Sequence, residues 1–192
     1  MNPTLHPGRQ RGTTLIEVLV TLVIVAFGLL GIGALQAKMQ LGTIEAYQRA
    51  QAVVLLEDMS ARINANKANA GTYVLANPAG TGDSQPDDCT GMAAGAPRDI
   101  CEWSAALKGA AEVKSGTKVG AMVGARGCIE QIQAPDTTTG VCQPGIYQVS
   151  VAWQGLHLTS ASALTCGSGL YGADGNRRAI SVRITVGLPA CT

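Results

Sequence analysis

The residue whose type and position most demand a chemical explanation is Glu17. It follows Arg9, Arg11 and Gly12 and sits near the outer end of a long apolar run. From Val18 to Leu35, eighteen residues, only Thr21 is polar. A charge at the centre of a membrane helix costs about 2.5–3.5 kcal/mol on insertion scales. Such a carboxylate is therefore either close to the membrane surface and solvated, or it has a partner that offsets its burial. The other reactive side chains are six cysteines, Cys89, Cys101, Cys128, Cys142, Cys166 and Cys191, all in the C-terminal half. No Cys-x-x-Cys pair occurs, and His157 is the single histidine beyond the N-terminal segment, so a zinc site is not expected. Asp174-x-Asn176 lacks the remaining ligands of a calcium loop and reads as turn chemistry. Phosphate-binding glycine loops of the P-loop and dinucleotide types are absent from the sequence. The inventory predicts no catalytic set, no metal site and no cofactor.

Compartment follows from the same residues. Arg9 and Arg11 with no acid before Gly12 place the N-terminus in the cytoplasm by the positive-inside rule, and the chain beyond the apolar run is translocated. An even number of cysteines, all on the translocated side, fits disulfides in an oxidising compartment. Net charge is +1; without residues 1–12, Lys and Arg fall from 14 to 12 against 13 acids, giving −1. Neither value suits a nucleic-acid partner. Charged residues are 14% of the chain, against about 25% for ordinary soluble domains, which points to a membrane-anchored exported protein.

The elements that must position Glu17 are helical. The run from Val18 to Leu35 approaches the roughly 20 residues that span a bilayer. Gly28, Gly31 and Gly33 lie in its second half, either as weak points or as ordinary glycines of a membrane helix. From Gln36 to Ala70 there is no proline and Gly42 is the sole breaker. Leu41, Ile44, Ala52, Leu55, Leu56, Met59 and Ile63 share one helical face, with Gln48 intruding. A single helix from Thr13 to about Ala70 would hold 58 residues and measure about 87 Å.

The remainder reads as loop and sheet. Residues 76–97 are predicted to form a loop carrying Cys89, and Cys101 to about Gly109 a short helix that packs Trp103 and Leu107; Gly116–Gly127 is uninformative. Gly127–Gln133, Tyr147–Trp153 and Ile180–Val186 are predicted strands, the last two alternating apolar and polar residues as half-buried strands do. Their apolar face needs a cover, and the long helix supplies one. The fold class is therefore α+β, a long N-terminal helix packed on a small antiparallel sheet with disulfide-tied loops. Spacing alone leaves the cysteine pairing open. The expected set is Cys128–Cys142 closing the first hairpin, Cys166–Cys191 tying the last loop to the C-terminus, and Cys89–Cys101 locally.

Arg-Gly-Thr-Thr-Leu-Ile-Glu-Val-Leu-Val-Thr-Leu-Val-Ile resembles the class III signal of type IV prepilins. A short basic leader ends in glycine, glutamate stands fifth after it, and an apolar helix follows. The resemblance implies cleavage between Gly12 and Thr13 by a prepilin peptidase and N-methylation of Thr13, where the family usually has phenylalanine. It gives Glu17 a partner, the new α-amine of a neighbouring subunit. Residues 1–12 would be the leader, 13–35 the transmembrane and filament-core helix, and 36–192 a periplasmic domain that includes an amphipathic helix over 36–70. Met59–Ala70 with Tyr73, Gly145–Trp153 and the final strand are similar to the minor pilins of the pilus modification family. That likeness implies a non-enzymatic subunit supporting pilus assembly, adhesion and twitching motility. It would be held by the inner membrane before reaching the pilus, with other minor pilins, the major pilin and a tip adhesin as partners. A minor pseudopilin of a type II secretion system shares the signal, the helix and the small sheet. A membrane-anchored periplasmic enzyme or binding domain is the reading from another class, and it predicts an uncleaved anchor and a pocket of convergent polar groups.

Overall fold

The computed structural model describes residues 12, 14–109, 113–115, 117, 118, 120 and 122–188. Two compact units divide the chain, Met1–Gly42 and Thr43–Thr192. Helix α1 (Leu15–Ala65) begins in the first. Up to Gly42 every described residue is exposed, including Leu15, Leu22, Leu30 and Phe27, which is 70% exposed. Mean hydropathy reaches 2.7 over the most apolar window of α1, so by length and composition this stretch can cross a membrane. A helix is what such a sequence requires there, because each backbone N–H and C=O must find its partner inside the segment.

In the second unit the same helix buries Gln48, Ala52, Leu55, Leu56, Met59 and Ile63. The expected face is therefore buried from Gln48 onward, whereas Ile44 is exposed. The helix ends at Ala65, about five residues before the expected stop. Asn66 leaves helical geometry, and its carboxamide accepts a hydrogen bond from Asn69 Nδ2 at 2.9 Å and donates to Tyr73 Oη at 3.3 Å. Short amide side chains compete locally with the helical ladder. A 3₁₀ segment over Lys67–Tyr73 continues the chain and buries Ala70 and Tyr73.

Four antiparallel strands form the main sheet, in the order β1 (Ala79–Gly80), β4 (Val123–Gln133), β5 (Gly145–Gln154), β6 (Arg177–Val186). Strands β2 (Val113–Lys114) and β3 (Thr117–Lys118) make a separate hairpin that runs into the stretch whose composition is uninformative, which holds β3 but not β2. Helix α2 (Ala96–Leu107) starts earlier than the sequence suggested, with a proline in its first turn where the missing N–H costs nothing. Trp103 is fully buried and donates its indole N–H to the Leu55 carbonyl at 2.9 Å. Its ring lies on Gly127, where an added Cβ would come within 2.1 Å of the indole. The core joins Leu56, Met59 and Ile63 of α1, Ile100, Trp103 and Leu107 of α2, and Ile129, Val149, Val151 and Ile184 of the sheet.

Strand β5 departs from the half-buried pattern. Tyr147, Val149, Val151 and Trp153 face the main core, yet Gln148, Ser150 and Ala152 are buried as well. The connection from β5 to β6 covers that second face: Cys166 and Tyr171 pack with Ala152, and the Tyr171 hydroxyl lies within donating distance of the carbonyls of Gly124, at 2.8 Å, and Ala152, at 3.0 Å.

Cysteine pairing corrects part of the expectation. Cys89 is bonded to Cys101, the local pair. Cys128 is bonded to Cys166, with Cα atoms 5.8 Å apart, and not to Cys142; this also rules out Cys166–Cys191. Register supplies the reason. Cys128 lies opposite Ser150, while the hairpin closes beyond Gln133 and Ile146. Five residues of strand, about 17 Å, separate Cys128 from that closure, and a disulfide needs Cα atoms within about 7 Å. Cys142 is itself disulfide-bonded, and Cys191 lies outside the described residues.

Candidate functional site at the helix N-terminus

Among the described residues the N-terminal segment begins at Gly12, exposed and outside any helix, with open space where a Cβ would be. Thr13, the expected cleavage partner and methylation site, lies outside the described residues, as do Arg9 and Arg11. The Thr14 carbonyl opens α1, accepting the N–H of Glu17 at 3.0 Å and of Val18 at 3.3 Å. Glu17 therefore sits in the first turn, where unpaired N–H groups carry partial positive charge and favour a carboxylate. Its side chain is exposed, and among the described residues it has no ion-pair partner. Thr21 donates its hydroxyl to the Val18 carbonyl at 2.8 Å. The one other polar side chain in the apolar run is thus satisfied within its own helix, which leaves Glu17 as the group able to recruit something external.

The second unit uses its charges internally. Arg62, near the end of α1, contacts Asp58 at 3.0 Å, Asp99 at 3.0 Å and Glu102 at 2.6 Å. Partial burial pulls this guanidinium's pKa down, but Glu102, Asp58 and Asp99 outweigh it and hold arginine above its ordinary range. Tyr73 donates its hydroxyl to Asp99, and burial together with that bond pushes the phenol up. This cluster fastens α1, the 3₁₀ segment and α2 together. Lys108 reaches Asp83 at 2.5 Å, and Ser104 Oγ and the Gly80 N–H donate to the same carboxylate. Burial raises the Asp83 pKa, and those three donors more than reverse it, leaving it below the usual carboxylate value.

Arg177 is 2% exposed. It donates to the carbonyls of Ser162, Leu164 and Cys166 and to both carboxylate oxygens of Asp174, at 2.7 and 3.0 Å. Asp174, weighed above as a calcium ligand, is this arginine's partner, and Asn176 donates to the Tyr171 carbonyl. Among the described residues no group of three or more His, Cys, Asp or Glu side chains is placed to hold a metal ion. His157 approaches Glu45 at 3.2 Å through Nδ1, and Arg178 approaches the same oxygen at 3.2 Å. Arg177, Arg178, Arg62 and Glu45 were not singled out in the sequence. Their partners lie up to 133 residues away, a separation that no local spacing discloses.

The profile of the prokaryotic N-terminal methylation motif matches residues 7–33. That interval contains Gly12, Thr13 and Glu17 and the most apolar part of α1. No curated protein and no solved structure matches the chain.

Proposed function

Because this chain is a type IV pilin- or pseudopilin-like protein with a class III signal, we propose that it is a minor pilin of the PilV kind. In this reading it is a low-abundance subunit of the complex that primes or tips a type IV pilus. The motif implies processing by prepilin peptidase, and the apolar helix is consistent with an inner-membrane anchor before assembly. Pilin-like proteins are generally non-enzymatic. Residues 1–12 leave on the cytoplasmic side, the amine of Thr13 is methylated, and the C-terminal unit faces the periplasm.

The observation that carries the proposal is the isolation of Glu17 in the first turn of an exposed apolar helix, inside the matched motif. Withdrawn from water, the carboxylate pairs with the amine that cleavage creates on a neighbouring subunit. A buried ion pair is favourable when both members are present and strongly unfavourable when one is missing. Assembly then depends on prior processing and fixes the axial register of neighbours. The second unit selects those neighbours: other minor pilins, the major pilin and a tip adhesin.

Deleting the gene and scoring surface pili together with type II secretion tests the assignment. Loss of pili and twitching with secretion intact is the expected outcome. Loss of secretion with intact pili would move the protein to a pseudopilus.

A further inference from the structure

The end of the second unit nearest its entry from the anchor carries an unexplained apolar surface. Glu45, two residues into that unit, is bound by His157 and Arg178, and Arg178 also donates to the His157 carbonyl at 2.7 Å. The connection leaving β5 is thereby held against the beginning of this unit's helix. The neighbours of that contact are exposed: Leu156 is 43% and Leu158 67% exposed on the loop, with Ile44 and Tyr47 exposed on the helix. The backbone beneath is tied by hydrogen bonds. Thr159 N–H bonds the Gly175 carbonyl at 2.9 Å, Gly155 N–H bonds the Asn176 carbonyl at 2.7 Å, and Arg178 donates to Thr159 Oγ1 and the Gly175 carbonyl. Leucines on a hydrogen-bonded loop, rimmed by charge, have the composition of an interfacial surface, and tyrosine is enriched at the same depth.

We infer that Leu156 and Leu158 form a membrane-surface contact, inserting among phospholipid headgroups while the protein is still anchored by its N-terminal span. Chain length argues for this occupant over a protein partner. Lys38 is the first charged residue after Glu17 and marks where the chain can leave hydrocarbon. Glu45 is seven positions further on, about 10 Å if helical and at most about 25 Å if extended. The leucines are therefore tethered to within reach of a bilayer at all times before assembly, at an effective concentration no diffusing partner attains. Insertion to a depth of roughly 5–10 Å is typical for such surfaces. The contact would hold the second unit down against the membrane and would be released when the subunit is extracted into a fibre.

This inference rests on the membrane-anchor reading, and the test separates the two. The full chain is reconstituted alone into phosphatidylcholine vesicles with and without brominated acyl chains. Tryptophan emission is compared for Leu158→Trp, Thr138→Trp and Phe27→Trp, with wild type as background, since Trp103 and Trp153 are buried. Thr138 lies in the β4–β5 connection, exposed at the opposite end of the sheet. Expected is strong quenching of L158W and F27W, with T138W at background. L158W no more quenched than T138W while F27W is quenched would overturn the contact and leave the anchor standing. F27W unquenched would overturn the anchor reading and the contact with it.

Discussion

Helix α1 carries one secondary structure through two different sequence patterns. Before Gly42 its described residues are all exposed, leucines, valines and isoleucines included; after Thr43 it turns Ala52, Leu55, Leu56, Met59 and Ile63 into a packed core. The first stretch has apolar residues on every side and one carboxylate without a partner among the described residues. The second has a single apolar face, and its charged residues Asp58 and Arg62 are bound within the unit. A helix apolar all round needs lipid or other helices around it, whereas one with a stripe needs only its own domain. The first unit therefore leaves its apolar side chains uncovered, whereas the second buries a core of its own.

The difference is sharpest if the two halves fail independently. Glu17→Ala should leave insertion and cleavage intact and lower incorporation into filaments roughly tenfold or more, the change that follows from losing about 1.4 kcal/mol of pairing. Immunoblots of sheared fibres against total membrane protein read this, and wild-type incorporation would remove Glu17 from the assembly contact. Trp103→Ala should do the reverse, destabilising the second unit by about 3–5 kcal/mol without affecting membrane insertion. Its effect appears as a lower denaturant midpoint in detergent, and an unchanged midpoint would contradict the packing of α2 on Gly127.

Reducing the disulfides should be milder. Opening Cys128–Cys166, which closes 38 residues, should cost about 2–4 kcal/mol and expose the β5–β6 connection to protease while the span stays in the membrane. Smallest is an acid effect at Asp83. Its folded-state pKa is depressed, so its stabilisation is present above the ordinary carboxylate value and is lost as pH falls through the folded value. Asp83→Asn should cost about 1 kcal/mol at neutral pH, and the gap from wild type should close below about pH 4. A gap that stayed constant into acid would mean that the Lys108 contact contributes nothing through charge.

Much of this architecture was legible in the sequence because it rests on local rules. The apolar run, the helical stripe through Met59 and Ile63, and the alternation in β5 and β6 all express the period of a single element. What stayed hidden depends on residues far apart in the chain. Cys128 finds Cys166 because the β5–β6 connection folds behind β5, which hairpin spacing does not reveal. The same connection buries Ser150 and Ala152, so a strand that alternates like a half-covered one is covered on both faces. Arg177 reads as an ordinary charge at a strand start, yet it is buried and binds Asp174 and three carbonyls. At the N-terminus the signal itself was legible, since glycine, glutamate and the apolar run lie within a few residues of one another.

If Glu17 awaits an amine that exists only after cleavage, the N-terminus is where this is tested most directly. Intact-mass and N-terminal peptide analysis of the full chain, co-expressed with a prepilin peptidase, should show loss of residues 1–12 and a methylated Thr13. A chain that keeps Met1–Gly12 while a known prepilin is processed in the same cells would contradict it.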